Sequence, residues 1–256
     1  MQLSGDGVFG PPRDREEALR VLRAAIAAGV DHIDTAQFYG AGTVNQLIRE
    51  ALHPYPDGLA IVSKVAGDPR RGIEENLATL GTSRLAAVNL RVTSEPPGAR
   101  FDAELAELIR AREDGLIDGV GLSNISLAHL LRAVAQTDIV CVQNLYNLAD
   151  QRSRDVLAEC AARGIAFVPF CPLGTPGQPY ARLLADPVLA RLGKELGATP
   201  TQVQLAWLLD LAPNILLIPG TRTRAHLAED LAAVNFKLDD AARVALATRF
   251  PSGGTS

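Results

Sequence analysis

Apolar, strand-like segments alternate with segments of helical periodicity along the whole chain, and this alternation limits the folds that the sequence can adopt. Seven strand-like segments are predicted, near residues 31–36, 59–65, 86–92, 118–123, 138–143, 166–171 and 214–218. Helical patterns lie between them, at a spacing that suits parallel strands joined by crossover helices. The sequence therefore predicts an α/β fold in a single domain over residues 1–256, since no linker of low complexity divides it.

Several helix boundaries are marked by residues that favour helix ends. Acidic residues in a first turn and glycines after a last turn predict helices over Arg13–Gly29, Ala103–Asp114 and Ser153–Arg163. Residues 186–211 contain two further helical patterns, with an N-cap predicted at Thr199 or Thr201 beside a proline. That is one helix more than the simple alternation needs.

The composition excludes several other classes of protein. A formal net charge of −4 and a pI near 5.6 offer no basic surface suited to nucleic acid. No apolar run reaches about 18 residues, so no membrane span is expected, and the N-terminus does not resemble a signal peptide. Cys141, Cys160 and Cys171 lack C-x-x-C spacing, which predicts free thiols in a reducing cytoplasm. The four histidines are scattered, so no metal site is predicted.

Polar residues end the apolar segments at six places, and they help to choose between two α/β folds. These positions are Asp34, Lys64, Arg91, Asn124, Gln143 and Gly220–Thr221. In a closed barrel the carboxyl ends of the strands meet on one face, where active sites of that fold lie. In an open, doubly wound sheet the same residues would be spread along a line. The pattern therefore favours a (β/α)8 TIM barrel.

The first strand of such a barrel is truncated or missing from the pattern. Before the first helix the sequence offers only Met1–Ser4 and a loop rich in glycine and proline, and a strand of about three residues is too short to close a barrel. We therefore expect either further residues upstream in the native protein or a destabilised chain. Gly5-x-Gly7-x-x-Gly10 formally matches a dinucleotide-binding fingerprint, but without a preceding strand we favour a loop.

A tyrosine, a lysine and an aspartate near the ends of the first two predicted strands form a candidate proton-donating unit. The pKa of a phenol is ordinarily near 10, and an ammonium group from Lys64 is predicted to lower the pKa of Tyr39. Asp34 would keep Lys64 charged and oriented. Lys64 is one of only three lysines, beside 22 arginines. The alternative interpretation is that Asp34 and Tyr39 cap a strand end while Lys64 is a surface charge.

These segments and others that follow resemble the aldo-keto reductase family, in the family's order. The resemblance is carried by Gly29–Gly40, Ile61–Lys64, Gly119–Asn124, Val142–Asn147, Phe170–Gly174, Thr199–Trp207 and Ile218–Asp230. It runs over about residues 5–240 and implies a (β/α)8 barrel that uses NADPH as the hydride donor to a carbonyl group. It also implies catalytic roles for Asp34, Tyr39 and Lys64.

The resemblance implies a set of cofactor-binding residues as well. Ser123, Asn124 and Gln143 would hold the nicotinamide carboxamide, and the ring of Phe170 would stack on the nicotinamide. The other implied residues are Cys171 and Leu173 after that ring, and Gly220, Thr221, Arg222, Arg224, Glu229 and Asp230 for the 2′-phosphate and adenine. Two alternatives stay open: Ser123-Asn124 as the N-cap of a helix over 126–136, and the arginines as a solvated charged face.

Arg91 is the main departure from the family pattern, because it stands where the family usually has histidine. Arginine cannot relay a proton, but it can hydrogen-bond a carbonyl oxygen and stabilise a developing oxyanion. Its charge would also favour the tyrosinate form of Tyr39. The variant Asn89-Leu-Arg-Val92 resembles a bacterial, pyridoxal reductase-like subgroup. A second departure is the short segment 66–71, which predicts a more open mouth to the site.

Two functions are compatible with these residues. The first is NADPH-dependent reduction of a small-molecule aldehyde or ketone, with Tyr39 as the general acid and a pyridoxal-like compound as one candidate substrate. The second is a nicotinamide-binding barrel with little catalysis, a sensor or subunit, because Arg91 replaces the usual histidine. A third, less favoured hypothesis is a lyase or epimerase with the same barrel fold. The sequence names neither the physiological substrate nor the oligomeric state.

Overall fold

The computed structural model describes residues 3–5, 10–93 and 95–252, and the chain forms two compact units. The first unit consists of Met1–Val142 together with Gly220–Leu227, and the second of Gln143–Pro219 together with Ala228–Ser256. The single domain over residues 1–256 stays a prediction.

Strands and helices alternate in the first unit, as the sequence predicts. Its strands are β1 (His32–Asp34), β2 (Ala60–Val65), β3 (Leu85–Arg91) and β4 (Ile117–Ser123). Its helices are α1 (Arg15–Ala27), α2 (Thr43–Leu52), α3 (Pro69–Leu80), α4 (Ala99–Glu113) and α5 (Leu127–Val134). The four strands pair in parallel and in chain order, with Asp34 opposite Val62 and Lys64 opposite Asn89. The parallel α/β fold is confirmed.

The second unit continues the alternation and then becomes helical. Strand β5 (Cys141–Leu145) begins beside β4 within the first unit and ends beside β6 (Ala166–Phe170) within the second. Helix α6 (Arg154–Arg163) connects these two strands, and β6 is followed by α7 (Gln178–Leu184), α8 (Pro187–Leu196), α9 (Pro200–Leu211), α10 (Arg224–Ala232) and α11 (Asp240–Arg249). Helix α10 starts in the first unit, and the predicted pair of helices over 186–211 is confirmed.

The predicted strand over 214–218 is wrong. Ile215 forms only an isolated bridge with Phe167, held by hydrogen bonds from Phe167 N to Asn214 O and from Leu216 N to Phe167 O. Proline stands on both sides of this short run, and proline cannot donate to a ladder. The described residues therefore contain six regular strands.

The N-terminal segment does not supply a strand within the described residues, where Leu3–Gly5 form a turn and bend. Met1 and Gln2 of the expected first strand lie outside the described residues, as does Gly7 of the glycine motif.

Side-chain caps explain where several helices begin. The carboxylate of Asp14 accepts from the backbone N of Glu17 and caps α1, which begins two residues after the predicted position. Thr199, one of the two predicted N-caps, forms a capping box with Gln202 at the start of α9. Helix α5 is preceded by Ser126 as its N-cap residue, so the alternative interpretation of Ser123-Asn124 as this cap is wrong.

Candidate active site

A buried ion pair joins the carboxyl ends of β1 and β2. Because Asp34 pairs with Val62 in the parallel register, Asp34 and Lys64 project from the same face of the sheet. Lys64 Nζ donates to Asp34 Oδ1 at 2.5 Å, and the two side chains are only 2% and 8% exposed. A buried charge whose partner is removed is strongly destabilised, so each residue requires the other in the folded protein.

Tyr39 lies beside this pair, at the start of a tight turn over Tyr39–Gly42. Its side chain is buried, and Lys64 Nζ lies 5.3 Å from the centroid of its ring. Gly40, Ala41 and Gly42 have φ values of 58°, 52° and 89°, and a left-handed conformation costs about 1–2 kcal/mol for a residue such as Ala41. A Cβ added at Gly40 would lie 2.8 Å from the carbonyl oxygen of Gly10. The turn thus requires its glycine to deliver Tyr39 to the ion pair.

Burial raises the pKa of Tyr39 above its ordinary value of 10, and the nearby carboxylate of Asp34 raises it further. The cations Lys64 and Arg91 lower the pKa of this phenol, but their effect is the smaller one. The sequence-based expectation of a lowered pKa is therefore wrong, because loss of solvent around the phenol outweighs the adjacent ammonium. Tyr39 consequently keeps its proton at neutral pH and can act as a donor.

Arg91 ends β3 and contributes its charge to the same centre. Its register partner on β4 is Ser123, and its guanidinium acts electrostatically on Tyr39. The predicted influence of Arg91 in favour of tyrosinate is present, although burial determines the net direction. The Arg91 side chain is half-buried, and its positive charge can act on a molecule bound next to Tyr39.

The end of β4 presents a buried hydroxyl group that has no hydrogen-bond partner among the described residues. Ser123 is fully buried, and its Oγ is unsatisfied. Asn124, the next residue, has a φ of 60° and donates from Nδ2 to the carbonyl oxygen of Val92 at 3.0 Å. Among the described residues, the non-glycine residues with positive φ are Ala41, Asn124 and Cys171. Asn124 and Cys171 fall in segments that the sequence assigns to the site, and Ala41 directly follows such a segment; strain of this kind is concentrated at functional sites in many proteins.

The remaining predicted residues of the second unit lie at strand ends and along helices. Gln143 is buried in β5, and Phe170, which ends β6, is partly exposed. Cys171 has a φ of 51°, and its carbonyl oxygen accepts from Asn147 Nδ2 at 3.0 Å. Leu173 follows in the same loop and is partly exposed. These contacts hold in place the loop that carries the residues predicted to lie beside the nicotinamide.

Two acidic residues predicted for adenine lie on α10, within the second unit. Glu229 accepts a hydrogen bond at Oε1 from Thr199 Oγ1 at 2.6 Å, and its carbonyl oxygen accepts from Gln202 Nε2 at 3.0 Å. Asp230 is partly exposed. Glu229 is thus tied to the start of α9.

The predicted phosphate cluster lies at the N-terminus of α10, just after the exposed Gly220. Thr223 Oγ1 accepts from His226 N and caps the helix, while Thr221 Oγ1 donates to the carbonyl oxygen of Thr223. Arg222 is exposed. Arg224 donates from its backbone N and from Nε to the same oxygen of Glu17, each at 3.2 Å. A carboxylate of this chain therefore already contacts the donors predicted for the cofactor phosphate.

Two other kinds of feature are absent from the described part of the chain. No group of three or more His, Cys, Asp or Glu side chains there is arranged to hold a metal ion. No helix there is long and apolar enough to cross a membrane.

Known proteins match the chain along nearly its whole length. The model of the Aldo/keto reductase family matches residues 1–246. The chain belongs to the aldo/keto reductase family. It is therefore an oxidoreductase, as the sequence predicts.

Individual members of the aldo/keto reductase family agree with this assignment. Pyridoxine 4-dehydrogenase of Escherichia coli is 44% identical over 261 residues, which cover 94% of this chain and 89% of that protein. The aldo/keto reductase of Klebsiella pneumoniae in complex with NADP and acetate has a TM-score of 0.85 at 24% identity, covering 94% and 88% of the two chains. A thermostable aldo-keto reductase bound to the inhibitor epalrestat has a TM-score of 0.84 at 29% identity, covering 96% and 92%.

The geometry of this aldo/keto reductase also brings out a residue that the sequence interpretation missed. Phe38 precedes Tyr39, and its ring contacts the Tyr39 ring edge to face, with centroids 5.2 Å apart. Phe38 is 40% exposed, so part of its ring is accessible beside the buried Tyr39. An aromatic residue next to the predicted acid was the available signal, and the sequence interpretation did not use it.

Proposed function

We propose that the chain reduces an aldehyde or ketone to an alcohol, with NADPH as the hydride donor and Tyr39 as the general acid. The observation that supports this most directly is the buried Asp34–Lys64 pair at 2.5 Å, with Lys64 Nζ 5.3 Å from the Tyr39 ring centroid. An ordinary surface charge or strand cap does not need this burial. The raised pKa of Tyr39 suits the role, because the phenol must hold a proton in order to donate it.

Each member of the centre has a distinct part in the proposed reaction. The chemistry that NADPH supplies when bound is a hydride for the carbonyl carbon. The Tyr39 hydroxyl donates its proton to the carbonyl oxygen, and the Lys64 ammonium stabilises the phenolate that remains. Asp34 holds Lys64 in place, and the Arg91 guanidinium donates a hydrogen bond to the oxygen while negative charge develops on it.

Features of the first unit support the choice of cofactor. The unpartnered Ser123 hydroxyl at the end of β4 suits a carboxamide, which both donates and accepts hydrogen bonds. The cations and backbone N–H groups at the start of α10 suit a phosphate. The Klebsiella pneumoniae relative was solved with NADP. The roles of the predicted second-unit residues, from Gln143 to Asp230, rest on the family resemblance and stay proposals.

The substrate class is proposed from two side chains beside Tyr39. Phe38 presents an exposed aromatic face, and Arg91 supplies a fixed positive charge. An aromatic aldehyde that carries a phenolate or another anionic group fits both, through stacking and charge pairing. Pyridoxal is such an aldehyde, and a relative at 44% identity bears the name pyridoxine 4-dehydrogenase. We therefore propose that this chain interconverts pyridoxal-like aldehydes and their alcohols.

The alternative of a nicotinamide-binding barrel with little catalysis is not favoured. Its basis is the replacement of the usual histidine by Arg91, yet Asp34, Tyr39 and Lys64 are all present, and Lys64 contacts both Asp34 and the Tyr39 ring. We also propose that the complete fold is the closed (β/α)8 barrel, for which the similarity to solved aldo/keto reductases is the support.

Purified protein incubated with NADPH and a panel of aldehydes tests the proposal, with the fall in NADPH absorbance as the measurement. We expect turnover, faster with pyridoxal than with benzaldehyde, and slower with NADH. Absence of turnover with every aldehyde, while NADPH quenches the protein fluorescence on binding, would instead support the binding barrel.

A further inference from the structure

Four buried polar side chains form a continuous hydrogen-bonded chain on the helix side of the sheet, which we call the polar clamp. Its members are Thr35, Asn45, Asn76 and Ser63, and each is fully buried. Thr35 Oγ1 donates to Asn45 Oδ1 at 2.7 Å, and Asn45 Nδ2 donates to Asn76 Oδ1 at 2.9 Å. Ser63 Oγ donates to the same Asn76 oxygen at 2.6 Å.

The polar clamp touches each of the three segments that carry the proposed acid–base residues. Thr35 directly follows Asp34, and Ser63 directly precedes Lys64. Because side chains alternate along a strand, Thr35 and Ser63 face away from the ion pair. Asn45 is the third residue of α2, which begins where the Tyr39–Gly42 turn ends. The polar clamp therefore links the backbone segments that carry Asp34, Tyr39 and Lys64, and it does so without contacting the reacting groups.

Both asparagine amide nitrogens make further hydrogen bonds. Asn45 Nδ2 donates to Thr79 Oγ1 at 3.0 Å, and Asn76 Nδ2 donates to the carbonyl oxygen of Gly72 at 2.7 Å. A buried network of this kind specifies one arrangement, since any shift leaves a buried group unpaired. Strand β1 has only three residues, so few ladder hydrogen bonds hold its carboxyl end in place.

We propose that Thr35, Asn45, Ser63 and Asn76 are positioning residues, which hold Asp34, Tyr39 and Lys64 in the arrangement that the reduction requires. This inference rests on the proposed function. Its physical basis is that proton and hydride transfer depend steeply on geometry, so that a displacement of about 1 Å can cost about 10²-fold in rate. Deleting one hydroxyl of the polar clamp removes a constraint on the centre and leaves every proposed reacting group in the chain.

Thr35→Val and Thr35→Ser provide a matched test, because valine keeps the shape of threonine without its hydroxyl, whereas serine keeps the hydroxyl. We expect Thr35→Val to lower kcat for aldehyde reduction by about 10- to 100-fold, with the NADPH Kd unchanged, and Thr35→Ser to retain most of the kcat. Tyr55→Phe is the control, since it removes the hydrogen bond from Tyr55 to the carbonyl oxygen of Leu80 in the same unit. This control should lower Tm and leave kcat unchanged.

A second measurement distinguishes positioning from a general loss of stability, and it requires no turnover. The phenol of Tyr39 is faced by Lys64, Asp34 and Arg91, and ultraviolet titration against a Tyr39→Phe background reports its ionisation. Displacement of Lys64 would raise the pKa of Tyr39 and displacement of Asp34 would lower it, so Thr35→Val should shift this pKa. If Thr35→Val fails to fold, Ser63→Ala tests the same connection from the Lys64 side, with Ser63→Thr as its rescue.

The outcomes separate the two proposals. A wild-type protein without turnover, in which Thr35→Val still shifts the Tyr39 titration, contradicts the proposed function and supports the polar clamp. A folded Thr35→Val or Ser63→Ala protein with wild-type kcat and an unchanged Tyr39 titration overturns the polar clamp, whatever its Tm.

Discussion

Two regions of the first unit are each built around a carboxylate paired with a cation, and they differ in burial. In the acid–base centre, the Asp34 and Lys64 side chains are 8% and 2% exposed and 2.5 Å apart. At the start of α10, the Glu17 and Arg224 side chains are 19% and 58% exposed and 3.2 Å apart. The residue types are similar, but water reaches only the second pair freely.

This difference in burial gives the two pairs different uses. A buried pair cannot exchange partners, because separating its members leaves a charge without water or counterion. An exposed pair contributes little to stability and can be replaced by another charge at small cost. We therefore expect a fixed catalytic centre and an exchangeable anion site, in which the phosphate of a bound cofactor takes the place of Glu17 at Arg224.

The largest effect is expected from removing the acid itself. Tyr39→Phe keeps the ring packing and removes the proton, so the rate of aldehyde reduction should fall by about 10²–10⁴-fold. Steady-state kinetics with NADPH measure this loss, and fluorescence titration should give an unchanged NADPH Kd. A Tyr39→Phe protein with most of its activity would contradict the assignment of Tyr39 as the acid.

A somewhat smaller effect is expected from replacing Arg91, because this substitution tests whether Arg91 belongs to the fixed catalytic centre. Arg91→Ala removes the proposed donor to the carbonyl oxygen, so kcat should fall on the order of 10²–10³-fold. Arg91→His is the matched variant, because it restores a donor at the position where the family usually has histidine, and it should keep activity on simple aldehydes. Unchanged turnover of Arg91→Ala on every aldehyde would remove Arg91 from the centre.

The pH dependence sharpens the contrast between burial and exposure. Because burial raises the pKa of Tyr39 above 10, the acid form dominates at neutral pH, and it is lost only as the pH rises through that raised value. The rate of reduction should therefore stay level through neutral pH and fall in alkaline solution. Oxidation of the alcohol needs the phenolate as base, so its rate should increase with pH over the same interval. Rate profiles in both directions that bend below pH 7 would contradict burial as the dominant influence.

The exposed cluster should affect cofactor choice and not the chemical step. Arg224→Ala removes a charged donor to the 2′-phosphate, so the NADPH Kd should rise about tenfold, with kcat at saturation and the NADH Kd nearly unchanged. Added salt should weaken NADPH binding to the wild type more than to this variant, because an exposed charge pair is screened. Arg222→Ala, at the neighbouring exposed position, shows which of the two arginines supplies the contact.

The smallest effect is expected from Glu17, which accepts hydrogen bonds from Arg224. Its carboxylate is held charged by Arg20 and Arg224, which lower its pKa to about 2. Glu17→Gln keeps the size of the side chain and removes the competing charge, so NADPH should bind a few-fold more tightly while NADH binding stays the same. Weaker NADPH binding by Glu17→Gln would mean that Glu17 orients Arg224 for the phosphate and does not compete with it.

The sequence by itself determined the parallel α/β alternation, the family and the identity of the candidate catalytic residues. These features are local, since strands and helices follow the hydrophobic period, and Asp34, Tyr39 and Lys64 lie in short segments with a recognisable order. The same local reasoning was wrong over 214–218, where an apolar run between prolines makes a single bridge.

Tertiary structure decided the sign of the Tyr39 pKa shift, the partner of Arg224 and the existence of the polar clamp. Proximity to Lys64 predicted a lower pKa, but the loss of water around the phenol depends on the packing of many segments. Glu17 is 207 residues from Arg224 in the chain, and Asn45 and Asn76 have no neighbour in the sequence that marks them as a pair. Burial and long-range pairing arise only when distant segments pack together. They determine which ion pairs are fixed in place and which can exchange partners.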